Sequence, residues 1–356
     1  MKTEIIRIDP GQPEQYKLDY CGAVLRYGGL VAFPTETVYG LGASAFSDRA
    51  VKGVFEAKGR PADNPLIVHV ADYAAAEAAG RFTGRRQREL FYALGAEFWP
   101  GPLTMIIKKR RIIPDSVSCG LDTVGIRMPS NRIAAGLIRA ARVPVAAPSA
   151  NSSGRPSPTC FEHVLEDMYG KVDVIIDGGE CSVGVESTVL DLNSEEPTVL
   201  RPGAVTREEI ARVAGECGEY GWFTADVNID KPRSPGMKYR HYAPKARMLM
   251  FSGAPEAVRR TILSRLRTEK SAGKRVGVLE TEEQICYYNE ADILLSLGPE
   301  NAPEAHAQAL FGALREFDAA GVDVIFARAL KAEGVDDAVM NRMFRAAGGT
   351  VLPAEQ

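Results

Sequence analysis

The sequence has no G-x-x-x-x-G-K-[ST] stretch, which excludes a Walker-type loop around nucleotide phosphates. GLGAS at 40–44 supplies a GxG without the third glycine of a dinucleotide fingerprint. H-E-x-x-H is missing, as is any Cys/His grouping with zinc spacing. G-x-S-x-G is missing too, which removes an esterase-type nucleophile elbow. The six cysteines (Cys21, Cys119, Cys160, Cys181, Cys217, Cys286) form no C-x-x-C pair, and none lies in a context that marks a nucleophile. Free thiols are expected. No uncharged apolar run is long enough to span a bilayer. The opening residues, MKTEIIRIDPGQPEQ, lack the apolar core of a secretory signal, so a cytosolic protein is expected. A net charge of −3 gives no global field toward nucleic acid.

What is present suits a soluble globular chain: 45% hydrophobic and 25% charged residues over 356 positions, a length that favours two domains. Strands are expected at LVAFPT (30–35), NPLIVHV (64–70), LTMIIKK (103–109), TVGIRMP (123–129), VPVAAPS (143–149), VDVIIDGG (172–179), STVLDL (187–192) and TVLRPG (198–203). Helices are expected at 48–59, 85–99, 131–141 behind an Asn131 cap, near 160–170, and at 206–215 behind a Thr206–Glu209 capping box. Strands and helices do not alternate strictly, so residues 1–215 read as a mixed sheet with helices and not as a simple doubly wound one. Residues 216–246 read as a linker. The part 220–246 is rich in proline and polar residues, yet it carries Tyr239, Arg240, His241 and Tyr242, which is much chemistry for a passive tether. Residues 247–356 alternate strand and helix and read as a smaller parallel α/β domain.

Polar residues cluster at the ends of the expected strands of the first domain. Thr35, Glu36 and Thr37 follow one strand; KGRPADNP adds Lys58, Arg60 and Asn64; Arg127 ends another. APSANSSGRPSPT (147–159) is a Ser/Asn/Pro loop, and GVESTV and LRPG add Ser187 and Arg201. Arginine forks suit phosphates and carboxylates, and small hydroxyl and amide side chains orient small polar substrates. Taken singly, each has a plainer reading. A loop cation is usually a solvated charge, His69 inside LIVHV a core histidine, and KKRR (108–111) a solvated turn, with weak tRNA binding the lesser alternative. Composition and spacing alone reach an α/β enzyme with an anion site.

The segments FPTETVYGLGASA, KGRPADNPLIVHV, WPGPLT, VGIRMP, APSANSSGRPSPT, DGG followed by GVESTVLDL, and VLRPG together resemble the threonylcarbamoyl-AMP synthase (YrdC-like) family, in the family's order over residues 30–205. SPGMKYRHYAP (234–244) and the C-terminal domain resemble its longer, two-domain members. The resemblance implies a twisted open mixed sheet around a concave basic cavity, plus a smaller Rossmann-like α/β domain. The C-terminal pattern has no glycine fingerprint, so a cofactor is not expected there.

It also implies a nucleotidyltransferase. L-threonine, bicarbonate and ATP with Mg²⁺ would give threonylcarbamoyl-adenylate, pyrophosphate and water. A separate transferase complex would then modify tRNA beside the anticodon. Lys58 and Arg60 would be catalytic, against the phosphates and the carbamate. Thr35, His69, Arg127, Ser149 and Ser187 would hold L-threonine. Asn64, Thr123, Asn151, Thr159 and Arg201 would bind ATP with Lys58 and Arg60, and Tyr239 and Arg240 would close over the nucleotide. No metal ligand is assigned. Two alternatives remain at this stage: an RNA-binding module without catalysis, and a carbamoyl-transfer enzyme with another acceptor.

Overall fold

The structure, a computed structural model, describes residues 2–221 and 242–355. It divides into two compact units, Met1–Ser153 with Ser157–Tyr239, and Gly154–Pro156 with Arg240–Gln356. The first unit runs β1 (Glu4–Arg7), α1 (Gln15–Arg26), β2 (Val31–Phe33), β3 (Gly40–Ser44), α2 (Asp48–Lys58), β4 (Ile67–His69), α3 (Tyr73–Ala79), β5 (Gly80–Arg81), α4 (Arg85–Phe98) and β6 (Leu103–Lys109). It continues with α5 (Asp115–Ser118), β7 (Thr123–Arg127), α6 (Arg132–Ala141), β8 (Val145–Ala146), α7 (Phe161–Met168), β9 (Val174–Asp177), β10 (Thr188–Asp191), β11 (Thr198–Arg201), α8 (Arg207–Ala214) and β12 (Gly218–Glu219). The strands form one mixed sheet in the order β1-β9-β2-β3-β8-β4-β7-β6-β10-β11-β12, with β5 beside β6.

Side chains alternate across a strand, so each strand feeds both faces of the sheet. One face carries Ala32, Leu41, Val68, Met105, Ile107, Val124, Ile126, Ala146 and Leu190. These pack with Val51, Val54 and Phe55 of α2, Phe91 and Leu94 of α4, and Ile210 of α8 in the main core. The other face is divided. Val31, Phe33, Val145, Val174 and Ile176 lie beneath Leu18, Cys21 and Leu25 of α1 and Ile133, Leu137 and Ile138 of α6. Farther along, Ile67, Ile106, Val189 and Leu200 form only a small apolar patch with Tyr220. Among the described residues no helix of the two cores contributes to that patch, and the polar residues gather there.

Local signals account for most boundaries. Asn131 caps α6, its side chain accepting from the amides of Ile133 and Ala134, and Thr206 and Glu209 form the expected capping box of α8. Gly59, at φ +60°, ends α2 in a left-handed turn that an L residue with a side chain would resist. The expected strand at 143–149 shrinks to two residues because Pro144 and Pro148 have no amide hydrogen to give the ladder. GLGAS proves to be a buried strand. A Cβ at Gly42 would lie 2.8 Å from both Phe33 Cε1 and Val145 Cγ1, so its glycine answers close packing and not a phosphate. In KKRR, Lys108 and Lys109 end β6. They pair with Asp122 and Asp115, and Arg110 donates to the carbonyls of Glu77 and Gly80.

The second unit runs β13 (Arg247–Ser252), α9 (Pro255–Ser271), β14 (Val276–Glu280), α10 (Glu282–Ile285), β15 (Ile293–Ser296), α11 (Pro303–Ala320), β16 (Val324–Arg328), α12 (Val335–Ala346) and β17 (Val351–Pro353). Its sheet is parallel throughout, in the order β15-β14-β16-β13-β17. At the carboxyl ends of its strands, Arg328 Nη2 lies 3.0 Å from Glu280 and Thr281 Oγ1 donates to Glu300 at 2.7 Å. Arg328 Nη2 also donates to Glu300. Nearby, His306 Nδ1 lies 2.8 Å from Asp336 and Nε2 2.7 Å from the Pro299 carbonyl.

Among the described residues no helix is long and apolar enough to cross a membrane. All six cysteines are free thiols. Burial pushes Cys119, Cys160 and Cys217 up to about 11, so they are poor nucleophiles at neutral pH.

Candidate active site

Register places the site on the half of the sheet face left bare by α1 and α6. His69 of β4 pairs with Arg127 of β7, which pairs with Thr104 of β6, and Thr104 pairs with Val189 of β10. Alternation then puts Ile67 and His69, Gly125 and Arg127, Thr104 and Ile106 on one face. The floor between them is shallow at Gly125, where a Cβ would lie 3.1 Å from Thr104 Cγ2. The depression over it is lined by Pro65, Ile67, Thr104, Ile106, Thr123 and Val189.

The turn after β2 reaches over the Arg127 end of this face. Thr35 Oγ1 donates to the Val38 carbonyl at 2.7 Å and lies 2.9 Å from Thr37 Oγ1, which fixes the turn. The amides of Val183 and Gly184 donate to the carbonyls of Glu36 and Thr37 at 2.8 and 3.1 Å, tying the turn to the segment that leads into β10. Arg127 is 4% exposed. Its Nη1 donates to Thr37 Oγ1 at 2.9 Å and its Nε to the Gly101 carbonyl at 3.3 Å. Its Nη2 lies 2.7 Å from Glu36 Oε1, off the line of a hydrogen bond. Burial alone would raise the Glu36 carboxyl, but the charge and contact of Arg127, helped by the nearby backbone amides of Glu36 and Ser130, bring it below the usual range, so it is ionised.

His69 is buried beside this pair, edge-on to the Phe33 ring at 6.3 Å. Burial, then the Arg127 charge, lowers it to about 3, so the ring is neutral at physiological pH. Its Nδ1 has no hydrogen-bond partner. Across the face, Ser187 Oγ lies 2.8 Å from Thr104 Oγ1. Arg201 holds Ser187 by donating to its carbonyl at 3.1 and 2.9 Å and to its hydroxyl at 3.2 Å.

Lys58 closes α2, buried at 4% exposure, and its Nζ donates to the carbonyls of Ser149 and Asn151. Ser149 Oγ in turn donates to Asn151 Oδ1, and Ser153 N donates to the Lys58 carbonyl at 2.9 Å, so the Ser/Asn/Pro loop is laced to the end of α2. Arg60 Nε donates to the Asn64 carbonyl at 3.2 Å, and Asn64 is 1% exposed.

The expected residues therefore fall into two groups within the first unit. Thr35, His69, Arg127, Ser187 and Arg201 converge at one end of the face. Lys58, Ser149 and Asn151 form a second knot, with Arg60 and Asn64 in the loop that follows α2. Thr123 lies on the same face as Arg127, four residues back along β7, about 13 Å at the strand rise. Thr159 is held at the start of α7, its carbonyl accepting from Cys181 N at 2.9 Å. Tyr239 and Arg240 lie outside the described residues. Sequence reasoning did not assign Glu36, Thr37, Thr104 or Glu186. Glu186 is buried and accepts from Ser157 Oγ at 2.5 Å. For Thr104, the alternation within LTMIIKK was the available signal. A wider groove at the opposite end of β2, lined by Lys2, Tyr20, Tyr27 and Arg49, gathers none of the expected residues.

The similarity to known proteins runs along the whole chain. The pattern of a family described as "Telomere recombination" matches residues 23–203, and that of "Threonylcarbamoyl-AMP synthase, C-terminal domain" matches 205–348. A Pyrococcus abyssi protein named threonylcarbamoyl-AMP synthase is 46% identical over 343 residues, covering 95% of this chain and 96% of its own length.

The chain belongs to the threonylcarbamoyl-AMP synthase family.

A Bacillus subtilis member of that name is 47% identical over 331 residues, covering 93% of this chain and 92% of its own. The crystal structure of P. abyssi Sua5 complexed with L-threonine superposes with a TM-score of 0.92 at 44% identity, covering 99% of this chain and 100% of that one. The similarity to these family members spans both units, and the mixed sheet with its second parallel sheet is the expected fold.

Proposed function

We propose that this chain is a cytoplasmic threonylcarbamoyl-AMP synthase, a nucleotidyltransferase that joins L-threonine, bicarbonate and ATP into threonylcarbamoyl-adenylate, pyrophosphate and water. The observation that carries the reading is near-full-length similarity to proteins of that name and to P. abyssi Sua5, crystallised with L-threonine. The site chemistry agrees with it. Threonine first becomes a carbamate, R–NH–COO⁻. One carbamate oxygen attacks the α-phosphorus of ATP, the bond to the β-phosphate bridging oxygen breaks, and pyrophosphate leaves. No covalent nucleophile is required, so catalysis rests on positioning and on cations against developing negative charge.

In this reading Arg127, His69, Thr35 and Ser187 hold the amino acid, with Ser149 at the junction. Lys58 and Arg60 face phosphates and carbamate, and Asn64, Thr123, Asn151, Thr159 and Arg201 serve the nucleotide. The roughly 13 Å between Thr123 and Arg127 suits a ligand pair laid along the sheet face. Among the described residues no three His, Cys, Asp or Glu side chains gather to hold a metal ion. Mg²⁺ would arrive with ATP, carried by phosphates and water. The adenylate passes to a separate transferase complex that modifies tRNA.

The test is pyrophosphate release from Mg·ATP with and without L-threonine and bicarbonate, with mass detection of the adenylate. Release that needs both substrates and yields the adenylate supports the reading. Release without threonine overturns it in favour of another acceptor.

A further inference from the structure

Three buried polar groups meet under the turn at 35–38 without aligned hydrogen bonds: Arg127 Nη2, both carboxylate oxygens of Glu36, and His69 Nδ1. They are near neighbours. His69 and Arg127 are paired across β4 and β7, and Arg127 Nη2 lies 2.7 Å from Glu36 Oε1. Buried polar atoms without partners are rare and costly in folded proteins, and a cluster of them calls for a reason. Glu36 is 6% exposed, and its two oxygens are closed to solvent.

The three groups differ in kind. Arg127 Nη2 is a cationic donor, Glu36 an anionic acceptor, and the neutral His69 ring offers Nδ1. A β-hydroxy-α-amino acid carries the matching set: a carboxylate, an ammonium and a hydroxyl. Arginine suffices for a carboxylate, and Glu36 is the anionic acceptor in this cluster for an ammonium.

We propose that Glu36 is a substrate-recognising residue that receives the α-ammonium of the amino acid, alongside Arg127 on its carboxylate. This rests on the synthase reading above and adds to it a residue and a rule. The site selects zwitterionic amino acids over acids that lack the amine. On conversion to the carbamate the nitrogen keeps one N–H, which remains a donor to Glu36. Both oxygens are closed to solvent, so the turn at 35–38, held by Thr35 and by the amides of Val183 and Gly184, is required to open when the amino acid binds. A purely structural role for Glu36, as the counter-ion that orients Arg127, makes a different prediction. It would serve every carboxylate ligand of Arg127 equally.

The experiment is binding calorimetry of the full chain with L-threonine and with 3-hydroxybutanoate, which keeps the carboxylate and hydroxyl but has no amine. In the wild type, threonine is expected to bind roughly 10- to 100-fold more tightly, the range of a charge-assisted hydrogen bond. In Glu36→Gln this ratio falls toward one, chiefly through weaker threonine binding, and in Glu36→Asp it is partly kept. Equal weakening of both ligands in Glu36→Gln, or an unchanged ratio, overturns the proposal in favour of the counter-ion role. Wild-type protein that binds both acids alike overturns it without any variant, so a poorly folding substitution does not shelter it. Wild-type protein that binds neither removes the synthase reading itself, a distinct outcome.

Discussion

Each unit buries an arginine beside a carboxylate, and the two are finished differently. In the second unit Arg328 is shared between Glu280 and Glu300, and Thr281 completes Glu300. His306 has acceptors at both ring nitrogens. That network is closed on itself at the carboxyl ends of a parallel sheet, where open α/β folds usually receive ligands. In the first unit Arg127, Glu36 and His69 are all buried, more deeply than Arg328 and Glu300, yet each keeps a polar atom without an aligned hydrogen bond. A closed network stabilises and specifies a fold; an open one of the same residue types leaves hydrogen-bonding capacity that a ligand can take up. Residue type and charge alone do not separate the two cases; burial and hydrogen-bond completion do.

The contrast is most severely tested in the second unit. Arg328→Ala strands the Glu280 carboxylate in the interior and is expected to cost about 3–5 kcal/mol in denaturant unfolding, without changing threonine affinity. A loss of threonine binding in a folded Arg328→Ala protein would break the distinction. In the first unit, Arg127→Lys keeps the charge beside Glu36 but loses the planar fork. Threonine-dependent pyrophosphate release should fall roughly 100-fold while the melting temperature stays close to wild type.

A smaller effect concerns the side chain of the substrate. Serine lacks only a methyl group, which a pocket distinguishes by about 1–3 kcal/mol, so serine at high concentration should support slow pyrophosphate release. No turnover at large excess would show a sharper pocket than this geometry offers.

The mildest effects are in pH. His306 lies against Asp336 of α12, the Pro299 carbonyl and the charge of Glu300. Burial opposes its protonation, but these partners raise it above the ordinary histidine value. A raised folded value means that its contribution to stability is complete below about pH 6.5 and fades as pH climbs through the folded value. His306→Gln should therefore flatten that part of the stability curve. His69, held at about 3, should leave no inflection in the activity profile between pH 5 and 8. An acid limb near 6.5 that vanishes in His69→Asn would contradict its neutral, buried state.

Much of the fold could be read from the chain. Caps at Asn131 and Thr206 and the alternation in TVGIRMP mark real boundaries, and the C-terminal strand–helix rhythm gives a parallel sheet. What escaped has physical reasons. The first helix, QYKLDYCGAVLR, holds Gly22 in its middle, ordinarily a helix-weakening choice. There a Cβ would meet the Ala140 backbone at 2.6 Å, so tight packing on α6 outweighs propensity. The site was legible as a set of residue types, not as a geometry. Thr35, Arg127 and Ser187 are far apart in sequence, and only strand register together with the turn laced over the face brings them together. Glu36 stood in plain view within FPTETV, but a lone glutamate after a strand is usually solvated. Its burial against Arg127 has no sequence signature.

The glycine in the middle of β7 has one further consequence. Gly125 leaves the floor of the face a methyl group short, and the atom a methyl would press upon is Thr104 Cγ2, on the same residue whose hydroxyl meets Ser187. The floor height and the Ser187–Arg201 arm are thus mechanically linked through one threonine. Raising the floor at 125 while trimming Thr104 to serine would keep the hydroxyl and exchange one bump for one hole. In engineering terms this is an adjustable seat, through which the cavity could be fitted to substrates of altered bulk without touching the charged residues around it.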